Sequence, residues 1–221
     1  LDSSEIMFRA FEPKVQNRFI LSMADTGIQG FMVKNAKAPT FTDNSILEGD
    51  RIVMHRWETK VMEHMADWVC SNGGDILEIG FGMGIASDFI QDNEIKSHTI
   101  CDNNPDVIKR LEKWSSDKPN VKIIRGDWYR NIHLMDKYDG ILFDTFDDVN
   151  IYRWKEDIVY RLSKRDTKYC IWDNVESKRA PYKNYKTKKI LVNKSNKDSW
   201  NYHTNNFVYI HKITINGEDK C

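Results

Sequence analysis

The chain has 221 residues, and 33 Lys and Arg balance 33 Asp and Glu, so its formal net charge is zero. This length suits one domain with an appended segment, and the balanced charge gives no long-range attraction to nucleic acid or an anionic membrane. No apolar run approaches the roughly 20 residues that span a bilayer, and the start lacks the pattern of a signal peptide. We therefore predict a cytoplasmic protein with no membrane partner.

The cysteines and histidines show no spacing that is typical of a metal site. The six histidines are scattered, and no C-x-x-C pair occurs among the four cysteines, Cys70, Cys101, Cys170 and Cys221. Zinc sites and disulfide frameworks need regular spacings, so neither is predicted, and the pattern favours a reducing compartment.

Residues 1–50 differ in character from the rest of the chain. They contain short mixed apolar stretches, Pro13 and Pro39, and few signals for helices. We predict an N-terminal arm or cap over 1–50 and one larger domain over 51–221.

From about residue 58 onward, helical and strand-like patterns alternate. The predicted strands are short apolar runs bounded by polar residues or glycine, at 75–80, 96–102, 121–125, 138–144 and 168–173. Between them we predict helices over Glu58–Ser71, from Asn104-Pro105 onward and over 151–164. This alternation is typical of a doubly wound α/β domain with a mostly parallel sheet.

The first predicted strand ends in three glycines at alternate positions, Gly80, Gly82 and Gly84, preceded by the acid Glu78. Glycine lets a backbone turn tightly and approach a ligand closely. The G-x-G-x-G spacing is tighter than that of nicotinamide-binding loops, and a carboxylate suits the ammonium group of S-adenosylmethionine (SAM). We therefore predict a Rossmann-like class I SAM-dependent methyltransferase fold with SAM as cofactor.

The next two strands end in residues that fit an adenosine, since ligands of doubly wound sheets lie beyond the carboxyl ends of the strands. Asp102 follows Gly84 by 18 positions, where an acid can bind both ribose hydroxyls. Asp127 can accept from the adenine amino group. Trp128 offers a face for stacking, with core packing as an equally good interpretation.

The fourth strand ends at Asp144, where a side chain would face the methyl group and the acceptor. Thr145 and Phe146 follow it, in place of the Pro-Pro-aromatic sequence that is usual in enzymes that methylate bases. After the fifth strand, residues 174–187 lack apolar periodicity and contain Pro181, so the helix expected there is absent or rudimentary. Lys188–Val192 and Asn206–Ile215 then predict an antiparallel edge pair, which gives a shortened C-terminal sheet edge.

Three motifs resemble guanidinoacetate N-methyltransferase and its arginine-type relatives. They are Val53-Met-His-Arg-Trp-Glu-Thr59, Gly80-Phe-Gly-Met-Gly-Ile-Ala86 and Phe143-Asp-Thr145, within a likeness from about Leu47 to Leu162. The resemblance implies that Glu58 and Asp144 bind the acceptor guanidinium. It also implies a set of SAM contacts: Met54, Met62, Phe81, Gly82, Met83, Gly84, Ile85, Ala86, Asp102 and Asn103.

The chemistry agrees with this resemblance. A guanidinium is planar and protonated at physiological pH, so two carboxylates recognise it, and one can accept the proton lost as nitrogen attacks. We predict an N-methyltransferase acting by direct transfer on a small guanidinoacetate-like or arginine-like acceptor.

Two alternatives remain open. One is a protein-arginine or RNA methyltransferase, because eight basic residues and no acid lie between Lys178 and Lys197. Such a run can bind phosphates, but the zero net charge favours a solvated loop, so a nucleic-acid partner is not favoured. The other is a non-catalytic binding module, against which the presence of Glu58, Asp102 and Asp144 argues.

Overall fold

A computed structural model describes residues 38–146, 157–173, 184–192 and 206–216. The chain divides into two compact units, Leu1–Ala38 and Pro39–Cys221. Apart from Ala38, every described residue belongs to the second unit. No helix in the described ranges is long and apolar enough to cross a membrane.

A small antiparallel sheet opens the second unit. Its strands are β1 (Thr40–Phe41), β2 (Ser45–Glu48) and β3 (Arg51–His55), in that order. Gly49, at a φ of 65°, stands in the turn between β2 and β3. This hairpin straddles residue 50, where the sequence predicts the end of the arm. Residues 1–37 lie outside the described ranges, so the division into arm and domain stays a prediction.

The main sheet has seven strands. They are β4 (Asp75–Ile79), β5 (Ser97–Asp102), β6 (Val121–Arg125), β7 (Tyr138–Phe143), β8 (Ser163–Asp173), β9 (Tyr185–Leu191) and β10 (Phe207–Ile215). Their order is β6-β5-β4-β7-β8-β10-β9. The first five pair in parallel, and β10 pairs antiparallel with both neighbours. The predicted doubly wound, mostly parallel sheet with an antiparallel edge pair is confirmed.

Helices cover this sheet. They are α1 (Thr59–Val69), α2 (Ile85–Gln91), α3 (Pro105–Trp114) and the short α4 (Val159–Arg161), with 3₁₀ turns at Arg56–Glu58 and Ile132–Leu134. The helices predicted over Glu58–Ser71 and from Asn104-Pro105 onward are confirmed as α1 and α3. Helix α3 begins where predicted, because the Asn104 side chain accepts from the N–H groups of Asp106 and Val107.

The predicted helix over 151–164 is wrong at its end. Strand β8 begins at Ser163, which pairs with Tyr138 at the start of β7. The segment Ser163–Thr167 is polar, so its strand character comes from this pairing and not from its own pattern. Within the predicted helix, the described residues are helical only over 157–161, which includes the short α4, and 151–156 lie outside the described ranges. Residues 174–183, most of the segment predicted to lack a helix, also lie outside them, and Tyr185 already begins β9.

Strand order places the carboxyl ends of β4, β5 and β7 together, because β4 lies between the other two. On one face of the sheet, α1 and α2 bury apolar residues such as Met65 and Ile90; on the other, Tyr138 and Tyr169 form a second core. These four side chains are at most 2% exposed. Close packing on both faces of the sheet thereby holds the carboxyl ends of these strands in fixed positions.

Candidate active site

A cavity of about 570 Å³ lies at the carboxyl ends of β4 to β8, roofed by the small sheet. This volume suits a small-molecule cofactor with part of an acceptor. Thirteen of the sixteen predicted site residues line it: Met54, Glu58, Met62, Glu78, Gly80, Phe81, Gly82, Ala86, Asp102, Asn103, Asp127, Trp128 and Asp144. The other three, Met83, Gly84 and Ile85, do not line it; the Met83 N–H points at the Met54 sulfur, and Ile85 is buried in the core.

The glycines of the loop after β4 are required by their protein neighbours. Gly80 and Gly82 have φ angles of 93° and 55°, which side chains rarely adopt. A Cβ on Gly80 would overlap the Asp144 carbonyl oxygen, and one on Gly82 would overlap the Met54 sulfur. The Gly80 backbone thus packs directly against Asp144, the residue after β7, so the loop and Asp144 are placed together.

We expect Gly80→Ala to lower the free energy of unfolding by about 2–5 kcal/mol, from left-handed strain plus the collision with Asp144. Urea denaturation followed by circular dichroism measures this. Gly49→Ala adds a side chain at a similar positive φ, 65°, and serves as the control for strain alone. Equal losses in the two variants would show that contact with Asp144 contributes nothing.

Glu78 is fully buried beneath this loop. Its Oε2 accepts from the Ser87 hydroxyl at 2.5 Å and lies 2.9 Å from His98 Nε2. Its Oε1 is buried and receives no hydrogen bond from the described residues. A buried carboxylate oxygen without a donor at a cavity wall is costly, and a cationic ligand group such as an ammonium offsets that cost.

Asp102 is held in a fixed orientation at the end of β5. Its Oδ2 accepts from the Phe81 N–H and its Oδ1 from the Asn104 N–H, both at 2.9 Å. Burial raises the pKa of Asp102, and backbone N–H groups, those of Asn104 and Phe81 first, oppose that rise. These donors link the acid to the glycine loop, so one ligand can contact both.

Asp127 and Trp128 follow β6 and line the cavity at the carboxyl end of that strand. Asp127 Oδ1 accepts from the N–H groups of Tyr129 and Arg130, at 2.9 and 3.2 Å, and so closes the turn after β6. The Trp128 ring is 4% exposed and packs edge-on against Phe143, with centroids 5.5 Å apart. Trp128 therefore belongs to the core and also lines the cavity.

The two predicted acceptor-binding acids lie in the same cavity. Glu58 is 2% exposed, and its Oε1 accepts from the His55 N–H at 2.8 Å, which fixes it at the start of α1. Asp144 follows β7; burial raises its pKa to about 6, a hydrogen bond from Trp172 opposes the rise, and the charge of Glu78 adds to it. A cation in the cavity would restore the charged form of Asp144.

The sequence did not lead us to predict Trp172 as a site residue. Its indole N–H donates to Asp144 Oδ1 at 3.0 Å. Its position at the end of β8 was a usable signal, because strand ends meet at the site. Glu48 on β2 and Asp173 on β8 also line the cavity and were missed. No Lys, Arg or His is among the described lining residues, which include seven carboxyl groups, so the cavity favours cations.

The family model of guanidinoacetate N-methyltransferase matches residues 32–168, more than half of the chain. Protein arginine N-methyltransferase 2 of Candida glabrata is 40% identical over 126 residues, which cover 52% of this chain and 30% of that protein. The protein of the same name from Saccharomyces cerevisiae is 34% identical over 145 residues, covering 58% and 34%. The chain thus spans about a third of the length of these relatives.

Two solved structures share the fold at low sequence identity. Spermidine synthase from Thermotoga maritima matches with a TM-score of 0.57 at 10% identity, covering 84% of this chain and 74% of that one. Precorrin-6y C5,15-methyltransferase from Geobacter metallireducens matches with a TM-score of 0.55 at 12% identity, covering 74% and 89%. The predicted class I methyltransferase fold is confirmed. Because the family model covers more than half of its length, the chain belongs to the guanidinoacetate N-methyltransferase family.

Proposed function

We propose that this protein is a SAM-dependent N-methyltransferase that modifies the guanidinium of an arginine side chain in a polypeptide. The observation that carries the proposal is that Glu58 and Asp144 line the same cavity as the glycine loop and Asp102. This arrangement joins a cofactor-type loop to a pair of acids suited to a guanidinium.

The lining residues fit SAM, which would supply an electrophilic methyl group on a sulfonium. Glu78 Oε1, buried and without a donor among the described residues, suits the ammonium group. Asp102 at the end of β5 suits the ribose hydroxyls, and Trp128 with Asp127 suits the adenine end. Met54, Met62, Phe81 and Ala86 supply apolar wall around these polar contacts.

The acids would bind and then deprotonate the acceptor. A guanidinium between Glu58 and Asp144 is held by charge-assisted hydrogen bonds, which align one nitrogen for in-line attack. As that nitrogen takes up the methyl carbon, the bond from this carbon to the sulfonium sulfur would break to leave S-adenosylhomocysteine, and the nitrogen would lose a proton. Asp144 is the better acceptor of it, because burial raises the pKa of Asp144 to about 6, nearer to neutrality than an ordinary aspartate.

The charge of the cavity favours arginine in a polypeptide over guanidinoacetate. Guanidinoacetate carries its own carboxylate, and the described lining residues include seven acids and no cationic side chain. A like charge in such a cavity is unfavourable, whereas an arginine in a peptide brings only its guanidinium. The names of the relatives agree, since both are protein arginine N-methyltransferases. We therefore revise the prediction of a small guanidino acceptor in favour of its alternative, arginine in a protein.

A comparison of acceptors tests this choice. Methyl-labelled SAM would be offered with an end-blocked Gly-Arg-Gly peptide, with guanidinoacetate, or with N-ethylguanidine, which resembles guanidinoacetate without its carboxylate. We expect kcat/KM for guanidinoacetate to be at least about tenfold below that for the peptide, with N-ethylguanidine in between. A preference for guanidinoacetate over the peptide would instead establish a small-molecule acceptor.

A further inference from the structure

The parallel pairing of β7 and β8 sets Trp172 beside Asp144. Leu142 pairs with Cys170, so the residues two positions later, Asp144 and Trp172, fall in the same row and on the same face of the sheet. Ile79 pairs with Phe143 in the neighbouring strand, so Gly80 continues that row. The indole therefore reaches Asp144 from the side opposite to the glycine loop.

We propose that Trp172 is a positioning residue, which holds the Asp144 carboxylate through its indole N–H in the orientation and charge state that an acceptor guanidinium needs. The contact joins Trp172 Nε1 to Asp144 Oδ1 at 3.0 Å. Oδ2 receives no hydrogen bond from the described residues, so one oxygen is anchored and the other is left to the acceptor. This inference rests on the proposed role of Asp144 in the transfer reaction.

The choice of tryptophan follows from its hydrogen-bonding chemistry. An indole N–H donates and cannot accept, so it stabilises the ionised carboxylate and gives nothing to the protonated acid's O–H. A hydroxyl or an amide in its place could pair with either form. Trp172 thus favours the charged form in a site whose burial disfavours it.

Other groups near Asp144 do not supply this effect. Glu78 on β4 is negative and raises the pKa of Asp144. The Cys170 thiol on β8 is buried, which raises its own pKa, so it stays neutral. Glu58 and Asp173 line the same cavity and are acids. Trp172 is the hydrogen-bond donor that the described residues provide to the Asp144 carboxylate.

A titration that needs no acceptor tests the contact directly. The protein has seven tryptophans, and comparison with Trp172→Phe assigns one indole ¹⁵N–H resonance to Trp172. We expect that resonance to shift with pH around a midpoint of about 6, and to become insensitive to pH in Asp144→Asn. A Trp172 resonance that does not move between pH 4.5 and 8, roughly two units either side of that midpoint, would overturn the proposal.

The pH dependence of kcat/KM, with the end-blocked Gly-Arg-Gly peptide as acceptor, tests whether Trp172 keeps Asp144 ionised. In Trp172→Phe the acid limb of kcat/KM should move up by about one to two pH units, so that activity at pH 7 falls about two- to tenfold and recovers largely at pH 9. A deficit that remains at pH 9 measures lost orientation. An unshifted profile would overturn the proposal.

Trp68→Phe is the matched control. Trp68 also donates its indole N–H to β8, to the Tyr169 carbonyl at 3.1 Å, but it does not contact Asp144. Both variants lose one indole hydrogen bond, yet only Trp172→Phe should shift the profile. If the wild type methylates no acceptor, the proposed function fails, while the indole titration still decides the role of Trp172.

Discussion

Asp144→Asn is expected to lower kcat for methyl transfer by about 10²–10⁴-fold, because it removes both the proton acceptor and one of two negative partners of the guanidinium. S-adenosylhomocysteine should bind with unchanged affinity, since the proposed cofactor contacts of Glu78 and Asp102 are untouched. Single-turnover rates and calorimetry measure the two effects. Turnover equal to that of the wild type would remove Asp144 from the mechanism.

The same variant should be more stable than the wild type at neutral pH. Burial raises the pKa of Asp144 from 3.8 to about 6, so the native protein gains stability from its protonated form below pH 4 and loses it as pH rises through 6. Asparagine stays neutral, and its amide oxygen can still accept from Trp172. We expect a gain of about 1–3 kcal/mol at pH 7 and none at pH 3.5. A variant less stable at pH 7 would contradict the burial of this charge.

Under the proposed mechanism, the ionised carboxylate of Asp144 binds the guanidinium in the wild type. The value of kcat/KM should therefore fall as pH drops below about 6. In Asp144→Asn that limb should disappear from the residual activity.

Glu58→Gln is expected to lower kcat/KM by about 10²–10³-fold, since it leaves the guanidinium with one negative partner in a buried site. The Gln side-chain oxygen can still accept from the His55 N–H, so the fold at the start of α1 should persist. Transfer kinetics and thermal unfolding measured together separate the two effects. Retention of more than half of the wild-type kcat/KM would show that Glu58 does not contact the acceptor.

Glu112→Gln provides the control for loss of a carboxylate. Glu112 lies on α3, exposed to solvent and paired with Arg125 outside the cavity. Exposed ion pairs contribute little, so both activity and stability should stay near those of the wild type.

Much of the site could be predicted because of how parallel sheets are built. Short apolar runs mark the strands, and residues that follow them must meet at one edge, which brought Gly80, Asp102 and Asp144 together. The paired acids followed from chemistry joined to a family resemblance.

The features that were missed depend on contacts between segments distant in sequence. The Trp172–Asp144 hydrogen bond exists because β7 and β8 pair in one particular register, which neither strand specifies alone. The strand character of Ser163 likewise comes from its partner Tyr138. The hairpin of β2 and β3 was a different case, since Gly49-Asp50 between two apolar runs is a recognisable turn signal.

The reason for the glycines also changed once neighbours were known. From sequence they predict close approach of a ligand, yet at Gly80 and Gly82 the nearest obstacles are Asp144 and Met54. The loop is therefore packed against Asp144 and Met54. Under the proposed function, this packing couples the placement of SAM to that of Asp144.

If the cavity brings SAM and an arginine guanidinium together, as we propose, the protein should methylate arginine within a peptide. The protein, saturated with methyl-labelled SAM, would be mixed with the end-blocked Gly-Arg-Gly peptide, and the peptide then hydrolysed to amino acids. We expect label in methylarginine with the wild type and its loss by at least about 10²-fold with Asp144→Asn. Bound SAM with no methylarginine formed, or equal label from both proteins, would contradict it.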